Sequence, residues 1–234
     1  SAGGRPANGI AKWDGASWTN LGSGMGEGMA RAVYALAYDG SILYAGGDFE
    51  TAGGVWAYNV AKWNGASWIG AGYCNYYGLN SNVRALAPKG AEIYAGGDFY
   101  SADEGAWTPK YVGKWNGGYY SIWTNLADGV NESVWALAHG GSNLYAGGYF
   151  TAAGEVAVSH VAKWDGTGWA ALGSGVNGGW DWPCVCALLH DGTNLYVGGY
   201  FTTAGGLAAN NVALCRPTAV EMSGVTPCAG SLAG

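Results

Sequence analysis

Chemistry in this chain has to come from a short roster of side chains: three histidines, five cysteines and an aromatic complement that includes 13 Trp and 16 Tyr. His139 and His190 hold matching places in two copies of a repeat, where other copies carry Tyr38 and Pro88, and His160 lies in a different segment. A metal centre needs ligands that converge, and three histidines on separate turns do not. They read as solvated turn residues. The cysteines are Cys74, Cys184, Cys186, Cys215 and Cys228. No C-x-x-C pair occurs, so a zinc site has little support. Cys184 and Cys186 would share one face of an extended strand, and a bridge from Cys228 to Cys215 would pin the tail. One or two disulfides in an exported protein are expected, with an odd thiol left over for a bond between molecules. Buried reduced thiols in a cytosolic protein are the alternative. No paired carboxylates or clustered histidines stand out as a motif. No catalytic residue, metal ligand or cofactor is therefore expected.

The aromatics offer a different chemistry. Tyr73-Cys-Asn-Tyr-Tyr77, Gly179-Trp-Asp-Trp182, Trp56, Tyr58 and Trp107 stand in segments that depart from the repeat. Grouped on one face, Tyr73, Tyr76, Tyr77, Trp107, Trp180, Asp181 and Trp182 would stack on sugar rings or anchor a protein partner. The plainer reading is that they cover the edges of a core, as large aromatics do. Lys12, Lys62, Lys114 and Lys163 recur beside an aromatic, and read as solvated or edge-protecting groups before an anion-binding ring. Asp48 and Asp98 give way to Tyr149 and Tyr200 in later copies, so the repeat does not build a ring of four carboxylates. Asn131-Glu-Ser133 is an N-glycosylation sequon.

The elements that must position these groups are written in the repeat itself. Tyr44-Ala-Gly-Gly-Asp-Phe49 returns as Tyr94-Ala-Gly-Gly-Asp-Phe99, Tyr145-Ala-Gly-Gly-Tyr-Phe150 and Tyr196-Val-Gly-Gly-Tyr-Phe201, at steps of 50, 51 and 51. Ala11-Lys-Trp13, Ala61-Lys-Trp63, Gly113-Lys-Trp115 and Ala162-Lys-Trp164 keep the same beat. Such a period marks a repeat architecture whose units bury their apolar faces on one another. One unit reads as four strands: Val33–Ala37, Leu43–Gly47, Asn59–Trp63 and a strand opening at Ser67. Asp39-Gly40 and Asn64-Gly65 mark tight hairpin turns between the first and last pairs. No helical period appears, so a parallel βαβ sheet is excluded.

Composition narrows the function. Apolar residues make up 49% and charged residues 11%, the opposite of a disordered chain. The formal charge is −6, with ten Lys and Arg and no basic cluster, which argues against nucleic acid as a partner. No apolar run approaches the ~18 residues of a membrane span. Ala2-Gly-Gly4 matches Ala52-Gly-Gly54, so the sequence opens within a repeat, and Ser1 is expected to be a processed or trimmed end.

An apolar strand, a DG turn (Asp39-Gly40), a strand ending in Gly-Gly (Gly46-Gly47), then Trp63 and Trp68 in that order resemble kelch-like repeats, of the type found in the central domain of galactose oxidase and in secreted or cell-surface bacterial proteins. The resemblance implies an all-β fold, a β-propeller of four-stranded antiparallel blades over residues 1–215, with 216–234 as a tail or linker. It implies a binding or scaffolding role. Strand order leaves ring closure open. The sequence supplies a third and fourth strand first, then three complete units, then a first and second strand plus one more third strand, Asn211–Cys215. Four blades plus an extra terminal strand, five blades, or terminal strands that pair with another molecule all remain open. The expectation is a non-enzymatic, extracellular or cell-surface interaction and structural module. It would take protein, itself included as a homopolymer, or glycan. A lectin-like propeller is the alternative, and a propeller hydrolase or oxidase a weaker one.

Overall fold

The computed structural model describes residues 1–4, 6–26, 32–71, 78–100, 109–118, 122–179 and 183–216. Among these residues every regular element is a strand. Two compact units divide the chain: Ser1–Pro109 with Gly113–Thr124, and Lys110–Val112 with Asn125–Gly234.

In the first unit, β1 (Ala11–Trp13) and β2 (Trp18–Asn20) form a two-stranded hairpin, followed by the short β3 (Met25–Gly26). Next come β4 (Ala32–Tyr38), β5 (Leu43–Asp48), β6 (Thr51–Ala52), β7 (Val55–Trp56), β8 (Val60–Trp63) and β9 (Trp68–Gly70). The four longer strands build an antiparallel sheet in the order β4-β5-β8-β9, while the β6–β7 hairpin leaves it and pairs with β3. A second sheet repeats the plan with β10 (Val83–Lys89), β11 (Glu92–Gly97), β12 (Val112–Trp115) and β13 (Thr124–Asn125).

The second unit holds β14 (Val134–Gly140), β15 (Asn143–Gly148), β16 (Ala152–Ala153), β17 (Val156–Ala157), β18 (Val161–Trp164) and β19 (Trp169–Ala171). It continues with β20 (Val176–Asn177), β21 (Cys184–His190), β22 (Leu195–Tyr200), β23 (Thr203–Ala204), β24 (Leu207–Ala208) and β25 (Val212–Cys215). β14-β15-β18-β19 is a complete four-stranded sheet, and β21-β22-β25 has three strands. The four-stranded antiparallel unit expected from the repeat is thus present three times among the described residues. The place contested by two third strands goes to β25, which pairs with β22 from Leu195 opposite Cys215 to Gly198 opposite Val212. β1 and β2 stand as a sheet of their own.

Why the repeat demands Gly-Gly is visible in the packing. The first strand of each sheet carries a bulge at the same place, between Val33 and Ala35, Val83 and Ala85, Val134 and Ala136, and Val185 and Ala187. The bulge pushes a carbonyl toward the second glycine of the neighbouring strand. A Cβ at Gly47 or Gly148 would lie 1.9 or 2.1 Å from the oxygen of Ala32 or Ser133. The first glycine is the seat for the next sheet. A Cβ at Gly46 would lie 2.6 Å from Val83, and one at Gly147 would lie 2.3 Å from Val185. The cores lie between successive sheets within each unit. Tyr44 and Val60 meet Val83, Ile93 and Phe99 in the first unit, and Tyr145 and Val161 meet Val185, Leu195 and Phe201 in the second. The Trp of each fourth strand pins the stack, donating its indole N–H backward: Trp68 to Leu21 O at 2.9 Å, Trp123 to Ala71 O at 3.0 Å, Trp169 to Leu126 O at 2.9 Å.

The hairpin turns expected at Asp39-Gly40 and Asn64-Gly65 are present. Tyr38 pairs with Leu43 and Trp63 with Trp68, so these loops have four residues. The Asp or Asn side chain, and not a type I′ backbone, closes them. Asp39 Oδ1 accepts from Ser41 N and Ile42 N, Asn64 Oδ1 from Ala66 N and Ser67 N, and Asp165 Oδ1 from Thr167 N and Gly168 N.

Candidate functional site

Of the aromatic groups predicted to bind, Tyr73, Tyr76, Tyr77, Trp107, Trp180, Asp181 and Trp182 lie outside the described residues, as do Cys74 and Cys228. The segments between second and third strands, and those between sheets, do come together. β3 pairs with β6, β20 with β23, and Val130 bridges Ala153. On that end of the first unit Trp56 is exposed at 44% and stacks on Tyr58, centroids 5.7 Å apart and planes 16° from parallel. Tyr58 stands at a φ of 44°, which brings its ring beside Trp56. An exposed Trp56 backed by a half-buried Tyr58 offers a stacking platform.

A second set of positions was only partly singled out from the sequence, through Asp98, Tyr149, Cys184 and Cys186. The residues flanking the bulge in each first strand face the residue that follows Gly-Gly in the second strand. In the first unit this set holds Asn82, Arg84 and Asp98. Arg84 Nε donates to both oxygens of Asp98 at 2.8 and 2.9 Å, its Nη2 lies 2.7 Å from Oδ2, and Asn82 Nδ2 adds a bond of 3.2 Å. The guanidinium also lies over the Tyr34 ring, 5.7 Å from its centroid. In the second unit the same positions hold Trp135 against Tyr149, edge to face at 5.2 Å, and then Cys184 beside Cys186. The signal that could have found them is the contrast between a constant frame and variable residues at one register position. That position is legible only once the bulge shows which side chains face one another.

Of the five disulfide candidates, Cys184, Cys186 and Cys215 lie among the described residues. Among the described residues there is no disulfide, and Cys184 and Cys186 keep free thiols. Cys184 and Cys186 share a face as expected, yet their sulfurs sit 3.2 Å apart in a hydrogen-bonding contact, because residues two apart on a strand are held near the upper limit of disulfide reach. Burial pushes the Cys186 thiol up to about 12, helped by the bond to Cys184. Burial and the bond to Cys184 also raise the Tyr149 hydroxyl. Both groups are neutral at physiological pH, so neither is an activated nucleophile. Cys215 is a buried hydrophobe in the place where other copies carry Trp.

The histidines are packed instead of solvated. His190 stacks on Tyr145 at 5.5 Å and 10°, and its Nδ1 accepts from Gly192 N at 3.0 Å. His139 is half-buried with Nδ1 3.3 Å from Asn143 O. His160 is buried at a φ of 64°, and its Nδ1 lies 3.2 Å from Tyr149 O. Desolvation lowers its pKa. Among the described residues no three His, Cys, Asp or Glu gather as a metal site. Lys62 and Lys114 are not edge groups either, whereas Lys12 is exposed on the two-stranded β1-β2. β8 is an interior strand, and Lys62 reaches the next sheet, 3.1 Å from Gly117 O and 4.9 Å from the Trp115 centroid. Burial lowers its pKa. Lys114 pairs with Glu92 at 2.7 Å.

Comparison with known proteins adds little. No family model matches the chain, and no curated protein matches it. Among solved structures it is similar to the computationally designed Ika8 protein, with 17% sequence identity and a TM-score of 0.46. That match covers 79% of this chain and 46% of the designed one, so the chain spans less than half the length of its structural neighbour.

Proposed function

We propose that this chain is a kelch-like β-propeller whose four-stranded sheets are blades, and that it works outside the cell as a non-enzymatic interaction and structural module, assembling with other chains. One observation carries this reading. Among the described residues the sheets repeat in register, yet two of them have fewer than four strands, the two-stranded β1-β2 and the three-stranded β21-β22-β25. Incomplete sheets present free backbone edges, which are templates for another chain. Electron microscopy of the purified protein across concentrations tests it: rings or filaments of more than one chain are expected, and a discrete single-chain particle at every concentration removes the assembly reading. The exposed Trp56, stacked on Tyr58, supports a second, lectin-like reading. Glycan arrays with the wild type and Trp56→Ala address it. The variant is expected to bind about tenfold more weakly, and blank arrays for the wild type reject the reading.

A further inference from the structure

Two sheet faces in this chain lack the cover that the same faces have elsewhere. Where β10 packs on the first sheet of its unit, Val83 and Leu86 lie over Gly46. Where β21 packs on the sheet of β14, Val185 and Leu188 lie over Gly147, and His190 stacks on Tyr145. Each contact therefore has two halves. One is a row on the first strand, centred on Leu86 or Leu188. The other is a row on the second strand, Tyr44 with Gly46 or Tyr145 with Gly147.

The first half is bare over part of β4: the places of Leu188 and His190 are held by Leu36, exposed at 57%, and Tyr38, at 64%, while Val33, in the place of Val83 and Val185, packs on the core of Ile10, Leu21 and Met25. The second half is bare on β22. Tyr196 is 36% exposed where Tyr44 and Tyr145 are 3% and 1%, and its neighbour across the ladder, Leu189, is 63% exposed. A Cβ at Gly198 would meet nothing nearer than Ala187 of its own sheet, at 3.6 Å. The strand edges beside these rows are mismatched in the same sense. β1 carries the Ala-Lys-Trp of a third strand and pairs only with β2 among the described strands. β22 has as its third strand β25, where Leu214 and Cys215 replace Lys and Trp, and among the described residues that sheet has three strands.

We propose that a second copy of this chain supplies both missing halves. β21 and β22 of one copy lay Tyr196 and Gly198 against Leu36 and Tyr38 of the next. β22 then takes the next copy's β1 as its third strand in place of β25. The register is the one β15 and β18 already use, where Tyr145 faces Lys163 and Gly147 faces Val161. It sets Tyr196 opposite Lys12 and Gly198 opposite Ile10. This inference rests on the assembly reading and names its contact. Because the two surfaces differ, the contact is head to tail, and copies close into a ring or continue as a filament. Exposed apolar rows with free strand edges are what such a joint covers.

Leu36→Arg and Gly198→Val, made in the full chain, test it. Each variant alone is expected to keep the wild-type circular dichroism and to lose at least about tenfold in association by light scattering, since each spoils one half of the joint. Mixed, they should form dimers and nothing larger, because one intact half remains on each partner. Tyr196→Arg replaces Gly198→Val if that variant does not fold. Amide hydrogen exchange on assembly should slow at residues 11–13 and quicken at 212–215. Wild-type assembly that both variants retain in full overturns this contact and leaves the assembly reading standing. A wild type that stays a monomer removes both. Dimers in the mixture with unchanged exchange at residues 11–13 overturn the strand exchange.

Discussion

His160 shows how one corner of the repeat accepts unlike residues for one backbone reason. Asn59, Tyr111, His160 and Asn211 all precede a third strand, and all have positive φ, between 60° and 73°. The folded chain holds His160 neutral by desolvation, whereas the unfolded chain takes up a proton near pH 6.5. Its contribution is therefore complete above pH 6.5 and falls as the pH drops below it. His160→Asn, which copies two sister corners, should unfold at neutral pH like the wild type and lose less stability between about pH 6.5 and 5 in denaturant titrations. His160→Ala should cost about 1 kcal/mol from the left-handed backbone alone. Asp165 titrates in the other direction. The Thr167 hydroxyl and the backbone amides of Gly168 and Thr167 hold its carboxyl down at about 2, below the ordinary 3.8. Its stabilisation is present above pH 3.8 and disappears as the pH falls toward 2. Asp165→Asn should keep the turn, as Asn64 does, and flatten that acid limb of the stability curve.

At the scale of elements, the glycines and the fourth-strand Trp decide whether sheets stack. Gly46→Ala should destabilise by about 1–3 kcal/mol, because its Cβ enters the space of Val83. Gly198→Ala, at the same register position with an open seat, should change stability by less than about 0.5 kcal/mol in the same assay. Equal losses at the two sites would show that the strand, and not the neighbouring sheet, demands glycine. Trp169→Phe removes a buried indole N–H and orphans the Leu126 carbonyl, and should cost about 1–3 kcal/mol in urea unfolding. The turn chemistry was half legible. Asp-Gly and Asn-Gly announced every hairpin at which they stand, but the side-chain closure and four-residue length depend on which amides the carboxyl or amide oxygen can reach.

For the whole molecule, the acidic balance and scattered cations set what it meets at long range. With a formal charge of −6 the chain should pass a heparin or DNA column at low salt without retention, which checks the exclusion of polyanionic partners. Its surface otherwise offers apolar and aromatic area: the bare rows on β4 and β22 and the Trp56–Tyr58 pair. The propeller reading and the assembly reading stand or fall at this scale, with the joint between copies as the measurable quantity.

The sequence by itself determined the local plan. Period, strand order, antiparallel pairing and the positions of the turns follow from alternation and from Gly, Asp and Asn chemistry within some fifty residues, where short-range sterics suffice. Only the tertiary structure decided which of two third strands sits beside β22, that Lys62 and His190 pack between sheets, that Cys184 and Cys186 stay apart, and which sheet faces are left bare. Those outcomes depend on competition for one edge and on what lies across an interface, and a repeated sequence writes the same residues whether or not a neighbour arrives to cover them.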